Sequence, residues 1–219
     1  MDDIVVRPFE PGDRQAIRDL CCDGADQGKP VDGLFPDREV AADILTGYYT
    51  DHEPGSTFVA EAGPAAGGVV GYVNGCFDNR RYGLVMFWII VPCALWKAVA
   101  HKTVFKKEFW TMVNSMARNG HRLLLWRKQS FHSHEGHMHI SVARAGRGQG
   151  VGARLVQAIL AAAQARGVEQ ITVSVHSVNI PARGFFEHLG FALEKSYPMV
   201  MAREGRMERH ESLYYVKHL

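Results

Sequence analysis

Val142-Ala143-Arg144-Ala145-Gly146-Arg147-Gly148-Gln149-Gly150-Val151-Gly152 is a glycine-rich turn set between a strand pattern and a helix pattern. His137–Val142 leads into it with strand character. Val151–Arg166 leads out as an alanine-rich helix, with Leu155, Ile159 and Ala162 on one face and Gly167 at its end. Glycines at 148, 150 and 152 leave backbone N–H groups unshielded where that helix begins. The orphan amides and the helix dipole make such a turn a cradle for an anion, and a pyrophosphate fits it. Arg147 adds a positive charge beside it. An isolated Gly-x-Gly is as often an ordinary tight turn, so the surroundings must decide. Two phosphate-binding alternatives fail on residues. No Gly-Lys-Ser/Thr ending makes a P-loop, and the spacing is not Gly-x-Gly-x-x-Gly. The acidic residue a dinucleotide site needs at the tip of the next strand is also missing, because that strand ends His176-Ser177.

Working outward, Gln170–His176 reads as a β-branched strand, and Pro181–Leu189 as a helix with Pro near its start and Gly190 past its end. Phe191–Lys195 and Leu213–Lys217 read as the last strands. Upstream, Ile4–Phe9 is a first strand, Asp13 is placed to cap a helix through Cys22, and Asp37 to cap a second through about Tyr48. Thr57–Ala62 and Val69–Phe77 are two strands joined by a Gly/Pro/Ala loop over 63–68. Residues 80–130 break the alternation as a helical insertion, first apolar and then basic. The expected architecture is one α/β domain over residues 1–219, with six or seven strands and four core helices. The insertion precedes the fourth strand.

Composition sets bounds. With 219 residues, 47% apolar and 22% charged, the chain can bury a full core. Its formal charge of +2 averages two unlike regions. Lys97 to Lys128 holds eight Lys or Arg and one acid, Glu108, a net of +7, which leaves −5 elsewhere. Cys21, Cys22, Cys76 and Cys93 show no paired framework and read as reduced thiols of a cytoplasmic protein. The first residues are acidic and then strand-like, unlike a signal peptide. The apolar run Leu84–Trp96, interrupted by Pro92, is shorter than a bilayer span.

Two motifs together resemble those of the GNAT acetyltransferase superfamily. Arg147-x-x-Gly150-x-Gly152 is similar to that family's CoA pyrophosphate loop. Beyond it, Asn179-Ile180-Pro181-Ala182-Arg183-Gly184-Phe185-Phe186-Glu187-His188-Leu189-Gly190-Phe191 resembles its second signature. The resemblance is close over residues 137–195, and it implies that the sheet is mixed and strongly twisted. It implies acetyl-CoA as cofactor, and a splay beside the strand before the loop that frees the backbones of Ile140 and Val142 for the pantetheine amides. It further implies pyrophosphate-binding amides at Gly148, Gly150, Val151, Gly152 and Ala153, a pantetheine contact from Asn179, and Phe186 lining the thioester end. The family often carries Tyr where Phe186 stands, so a proton donor to the leaving thiolate is missing there. Tyr197 is the nearest substitute in sequence.

The run His132-Ser133-His134-Glu135-Gly136-His137-Met138-His139 invites a metal reading, but strand alternation offers His137 and His139 without an evident third ligand, so no metal is assigned. Acyl transfer to an amine needs a base near the thioester, and His139 is the first candidate, His137 the second and Glu135 the third. The resulting expectation is an N-acetyltransferase acting on a small-molecule or peptide amine by direct attack in a ternary complex. A non-catalytic CoA-binding domain is the alternative. For the basic stretch 97–128, a solvated helical flap leads. Recognition of an acidic partner, attachment to an anionic membrane surface and a homodimer contact through the apolar portion follow, and nucleic acid ranks weakest.

Overall fold

The computed structural model describes residues 4–26, 28–63, 68–119, 135–203 and 206–219. The expectations for 64–67, Arg122, Arg127, Lys128, His132 and His134 lie outside the described residues. In chain order come β1 (Val5–Pro8), α1 (Arg14–Gly24), α2 (Arg38–Asp51), β2 (Thr57–Glu61) and β3 (Val69–Cys76). The insertion contributes α3 (Asn79–Val85), a π turn (Met86–Ile90), α4 (Val91–Ala100) and α5 (Lys107–Arg118). Then follow β4 (Glu135–Val142), α6 (Val151–Gln164), β5 (Gln170–His176), α7 (Ile180–His188), β6 (Ala192–Arg203) and β7 (Arg206–His218).

These strands pair in the order β1-β2-β3-β4-β5-β7-β6, antiparallel throughout except for the parallel β4–β5 pair. The sheet is mixed and has seven strands, within the expected six or seven. One face of the sheet packs on α6 and α7, where Leu155, Ile159, Ile171 and Tyr215 are wholly buried. The other face carries α1 and α2 through Ile17, Cys21, Val59 and Tyr72.

Local chemistry explains most element ends. Asp37 caps α2 as expected, its Oδ1 accepting from the amides of Glu39 and Val40 at 3.0 and 3.1 Å. Asp13 does not cap α1. Its carboxylate is taken by Arg7 at 2.7 and 2.8 Å and by the Glu10 amide at 2.8 Å, so it ties β1 to the turn before the helix instead. The last two strands are far longer than their hydrophobic patterns. Pro198 lies inside β6, where an edge strand tolerates a missing N–H. α5 covers part of that edge, and the Asn119 side chain both donates to the Val200 carbonyl, at 2.6 Å, and accepts from its amide, at 2.9 Å.

Gly136 marks the tightest approach between the two parallel strands. A Cβ there would sit 2.7 Å from Ile171 Cδ1 and 2.8 Å from the backbone oxygen of Cys76. The isoleucine methyl can turn aside; the backbone oxygen cannot. Gly136→Val is therefore expected to destabilise the fold by about 3 kcal/mol, read as a lowered urea midpoint. An unchanged midpoint would contradict the β3–β4–β5 packing described here.

Candidate functional site

β4 pairs with β5 through Glu135, Gly136 and His137, and the pairing then stops. From Met138 onward the strands part, while β4 stays paired with β3 as far as Val142. The hydrogen bond from the Ala143 amide to the Val70 carbonyl, 2.9 Å, sets the phase of that antiparallel pair. Residues 139, 141 and 143 thus aim their backbone groups at β3, and Met138, Ile140 and Val142 aim theirs into the gap. One of these groups is already engaged, since Val142's carbonyl accepts from Arg147 Nε at 3.1 Å. This corrects the expectation that Val142 would be wholly free.

The gap opens onto the start of α6. Gly148 and Gly150 adopt φ of +75° and +73°, the left-handed region in which a side chain is strained, and nothing lies within 4 Å of a Cβ at either. Gly150 is the N-cap and offers no side chain. The first intrahelical bond is the Arg154 amide to the Gly150 carbonyl, which leaves the amides of Val151, Gly152 and Ala153 without helical acceptors. Gly152 has a packing role that its place in the loop did not announce: a Cβ there would meet the Phe185 ring at 3.1 Å. Arg147 is exposed, but its guanidinium folds back toward Gly28 in the segment after α1.

Asn179 uses its Oδ1 to cap α7, accepting from the Ala182 amide at 3.2 Å. Its side-chain NH2 remains as a donor. Phe186 is 3% exposed, packed between Phe185 and Phe191 at ring distances of 5.0 and 5.4 Å. Tyr197 lies on β6 against Tyr214, with β7 and β5 between it and the gap.

His137, His139 and Ser141 share the β4 face toward α1 and α2, and Met138 enters the core on the other. The three proposed bases differ in what they have left to offer. His137 is saturated. Asn79 gives its NH2 to the Glu135 carbonyl, so its Oδ1, 2.7 Å away, receives the His137 Nδ1 proton, and Nε2 accepts from the Tyr49 hydroxyl at 2.9 Å. Tyr82 also packs edge-on against the His137 ring at 4.8 Å. Glu135 holds the Gln170 amide at 2.5 Å. His139 bonds the Tyr72 hydroxyl through Nδ1 at 3.1 Å, and among the described residues its Nε2 has no partner. Desolvation lowers both imidazoles to a pKa of about 4, so both are neutral near pH 7. Burial drives the Tyr49 and Tyr72 phenols well above their ordinary range and keeps them protonated. It also pushes the Cys21 thiol beside Tyr72 up to about 12. Tyr49, Tyr72 and Asn79 escaped the sequence reading because they reach the histidines across 58 to 88 residues of chain. Among the described residues, no three His, Cys, Asp or Glu side chains form a metal-holding group.

The family model of the GNAT acetyltransferases matches residues 115–191. The fold is similar over nearly all of the chain to solved structures. The crystal structure of SsHAT has a TM-score of 0.70 at 23% identity, covering 99% of this chain and 98% of that one. A ribosomal-protein-alanine N-acetyltransferase from Brucella melitensis has 0.60 at 18%, covering 98% and 99%. yncA, a putative acetyltransferase from Salmonella typhimurium solved with its cofactor acetyl-CoA, has 0.57 at 15%, covering 99% and 94%. No curated protein matches the chain. Over residues 115–191 the sequence matches the GNAT acetyltransferase family model, and the fold, with its parted β4–β5 pair, is similar to that of solved acetyltransferases over nearly the whole chain.

Proposed function

We propose that this protein is an N-acetyltransferase that passes the acetyl group of acetyl-CoA to a primary amine while both are bound. The observation that carries the reading is the parting of β4 from β5 beside the bare amides at the start of α6. The residues fit the cofactor: unshielded glycines stand where a diphosphate needs backbone donors, and the backbones of Met138 and Ile140 face the gap where an extended amide-bearing arm can pair. Bound there, acetyl-CoA supplies an acetyl thioester with a good leaving group. The amides of Gly152 and Ala153 and the side-chain NH2 of Asn179 hold and orient it.

His139 is the group we assign to proton removal, because its Nε2 has no partner among the described residues. A base of pKa about 4 is weak toward a free ammonium, whose pKa is near 10. It suffices for a transfer late in the reaction, when the attacking nitrogen has begun to bond to carbon and its proton has become acidic. Tyr72 fixes the ring through Nδ1, and His137 acts as a positioning residue that ties α2 and α3 to the strand. Acceptors ranging from peptide N-termini to polyamines all satisfy this chemistry, in a cytoplasmic setting. Phe186 supports one rival, a CoA-binding domain without turnover, since its ring has no proton to give. Thiol release from acetyl-CoA across a panel of amines separates the two: release with any amine supports transfer, and binding without release supports the rival.

Gly150→Glu fills the cradle with a like charge at a left-handed position and is expected to abolish acetyl-CoA binding in calorimetry while circular dichroism stays native. Unchanged affinity would refute the placement. His139→Gln is expected to lower kcat by about 10² to 10⁴ with acetyl-CoA affinity kept; a change confined to KM would reassign the residue to binding.

The two histidines also set an acid limit on stability. The unfolded chain takes up their protons below pH 6.5, and the folded chain refuses them until about 4. Stability thus falls as pH drops through that window and is unaffected above it. The slope is up to about 1.4 kcal/mol per pH unit for each imidazole. Urea midpoints for His137→Gln/His139→Gln should be flatter than wild type between pH 6.5 and 4.5, and parallel curves would show that burial does not hold these rings neutral.

A further inference from the structure

Asn79–Ala100 forms one continuous helical stretch of 22 residues. One stripe of it is committed to the protein body. Ala94 and Ala98 pack with Val40, Phe109 and Met112, and Ile90 packs with Tyr48 and Tyr49. The opposite stripe faces out and is strongly apolar: Phe87 is 65% exposed, Trp88 70%, Leu95 50%, Trp96 74% and Val99 56%. Phe105, at 82%, extends the surface past the helix end. A patch of this size on a soluble face calls for a covering surface. The helix runs beyond the apolar run Leu84–Trp96 at both ends and so, unlike that run alone, is long enough to cross a bilayer, but with one side sealed on α2 and α5 it cannot cross while the domain is folded. It can lie flat.

Charge at the helix ends selects the occupant. Arg81 is exposed at the front, and Lys102, Lys106 and Lys107 are exposed within two turns of the back. Of the acids nearby, Asp43 is paired with Lys97, while Asp78 accepts only from the backbone amides of Arg80 and Arg81 and is outnumbered by those two arginines. At the back, exposed Glu108 is outnumbered by the three lysines. A second copy laid antiparallel would set Arg81 of one molecule against the lysine turn of the other, and a parallel copy would set like ends together. Either arrangement opposes cation to cation. An anionic lipid surface neutralises both ends, and exposed indoles beside lysines suit the headgroup layer.

We propose that the Asn79–Ala100 helix and the adjoining Lys102–Lys107 turn dock this protein on an anionic lipid surface, with the Trp88–Trp96 stripe lying in the headgroup layer. The docking face borders the candidate site, since Asn79 in the helix's first turn holds His137. The inference goes beyond acetyl transfer and stands without it.

Vesicle flotation of the full chain tests it, using phosphatidylcholine alone and phosphatidylcholine with one-third phosphatidylserine. About tenfold more protein should float with the anionic vesicles, falling steeply as salt is raised. Trp88→Ser/Trp96→Ser and Lys102→Glu/Lys106→Glu/Lys107→Glu should each lose that binding with unchanged circular dichroism and melting. Equal binding to both vesicles, binding that survives in the lysine variant, or no binding at all would overturn the proposal. Loss of a dimer in size exclusion on Trp88→Ser/Trp96→Ser, without vesicle binding by the wild type, would overturn it in favour of a second copy.

Discussion

The parting of β4 from β5 is the constraint on which the rest of this structure depends. A parallel pair would normally continue along its length, because each unpaired backbone group costs free energy when covered. Here β5 keeps its other neighbour, pairing with β7 from Gln170 to His176, and β4 keeps β3 as far as Val142. Each strand is held from its outer side, so the gap between them persists with Met138, Ile140 and Val142 facing it. The Gly136 contact with Ile171 and Cys76 pins the closed end, and α6 begins at the open end. A site of this kind is made by what the sheet leaves undone.

The insertion belongs to that arrangement. Arg18 of α1, 3% exposed, is compensated by Asp43 and Glu39 of α2, and Asp43 also receives Lys97 of α4. A buried guanidinium without partners would be costly, so α1, α2 and α4 are fixed relative to one another by one charge cluster. At the other end of the insertion, Asn79 and Tyr82 reach His137. The segment is therefore attached both to the helical layer and to the candidate site, while its outer stripe is exposed among the described residues.

Legibility in the sequence followed the range of the interactions. The glycine turn, α6 and β5 were readable because their signals are local: left-handed positions, a 3.6-residue apolar period and a β-branched run. Asp37 was readable as a cap for the same reason, since its bonds reach two and three residues ahead. Asp13 misled, because an identical local signal was overridden by Arg7, whose guanidinium offers a stronger bidentate partner than a helix amide. The β6–β7 hairpin was cut short in the reading because its outer half is charged and contains Pro198, features that an edge strand tolerates and a central strand does not. The surroundings of His137 and His139 were invisible, since no spacing along the chain announces Tyr49 or Tyr72.

Those surroundings bear on why two neutral histidines stand on one strand. Their difference is not basicity, as both are held to about 4 by the same desolvation. It lies in how many ring nitrogens the fold consumes. Asn79 and Tyr49 take both from His137 and make it a joint between strand and helices. Tyr72 takes one from His139, and its hydroxyl is itself braced by the buried Cys21 on α1. An imidazole held at Nδ1 and, among the described residues, unpartnered at Nε2 is oriented but unspent, which is what proton transfer demands of a residue. On the proposed reading, the division of roles follows from hydrogen-bond accounting at two residues of β4 that stand two register positions apart.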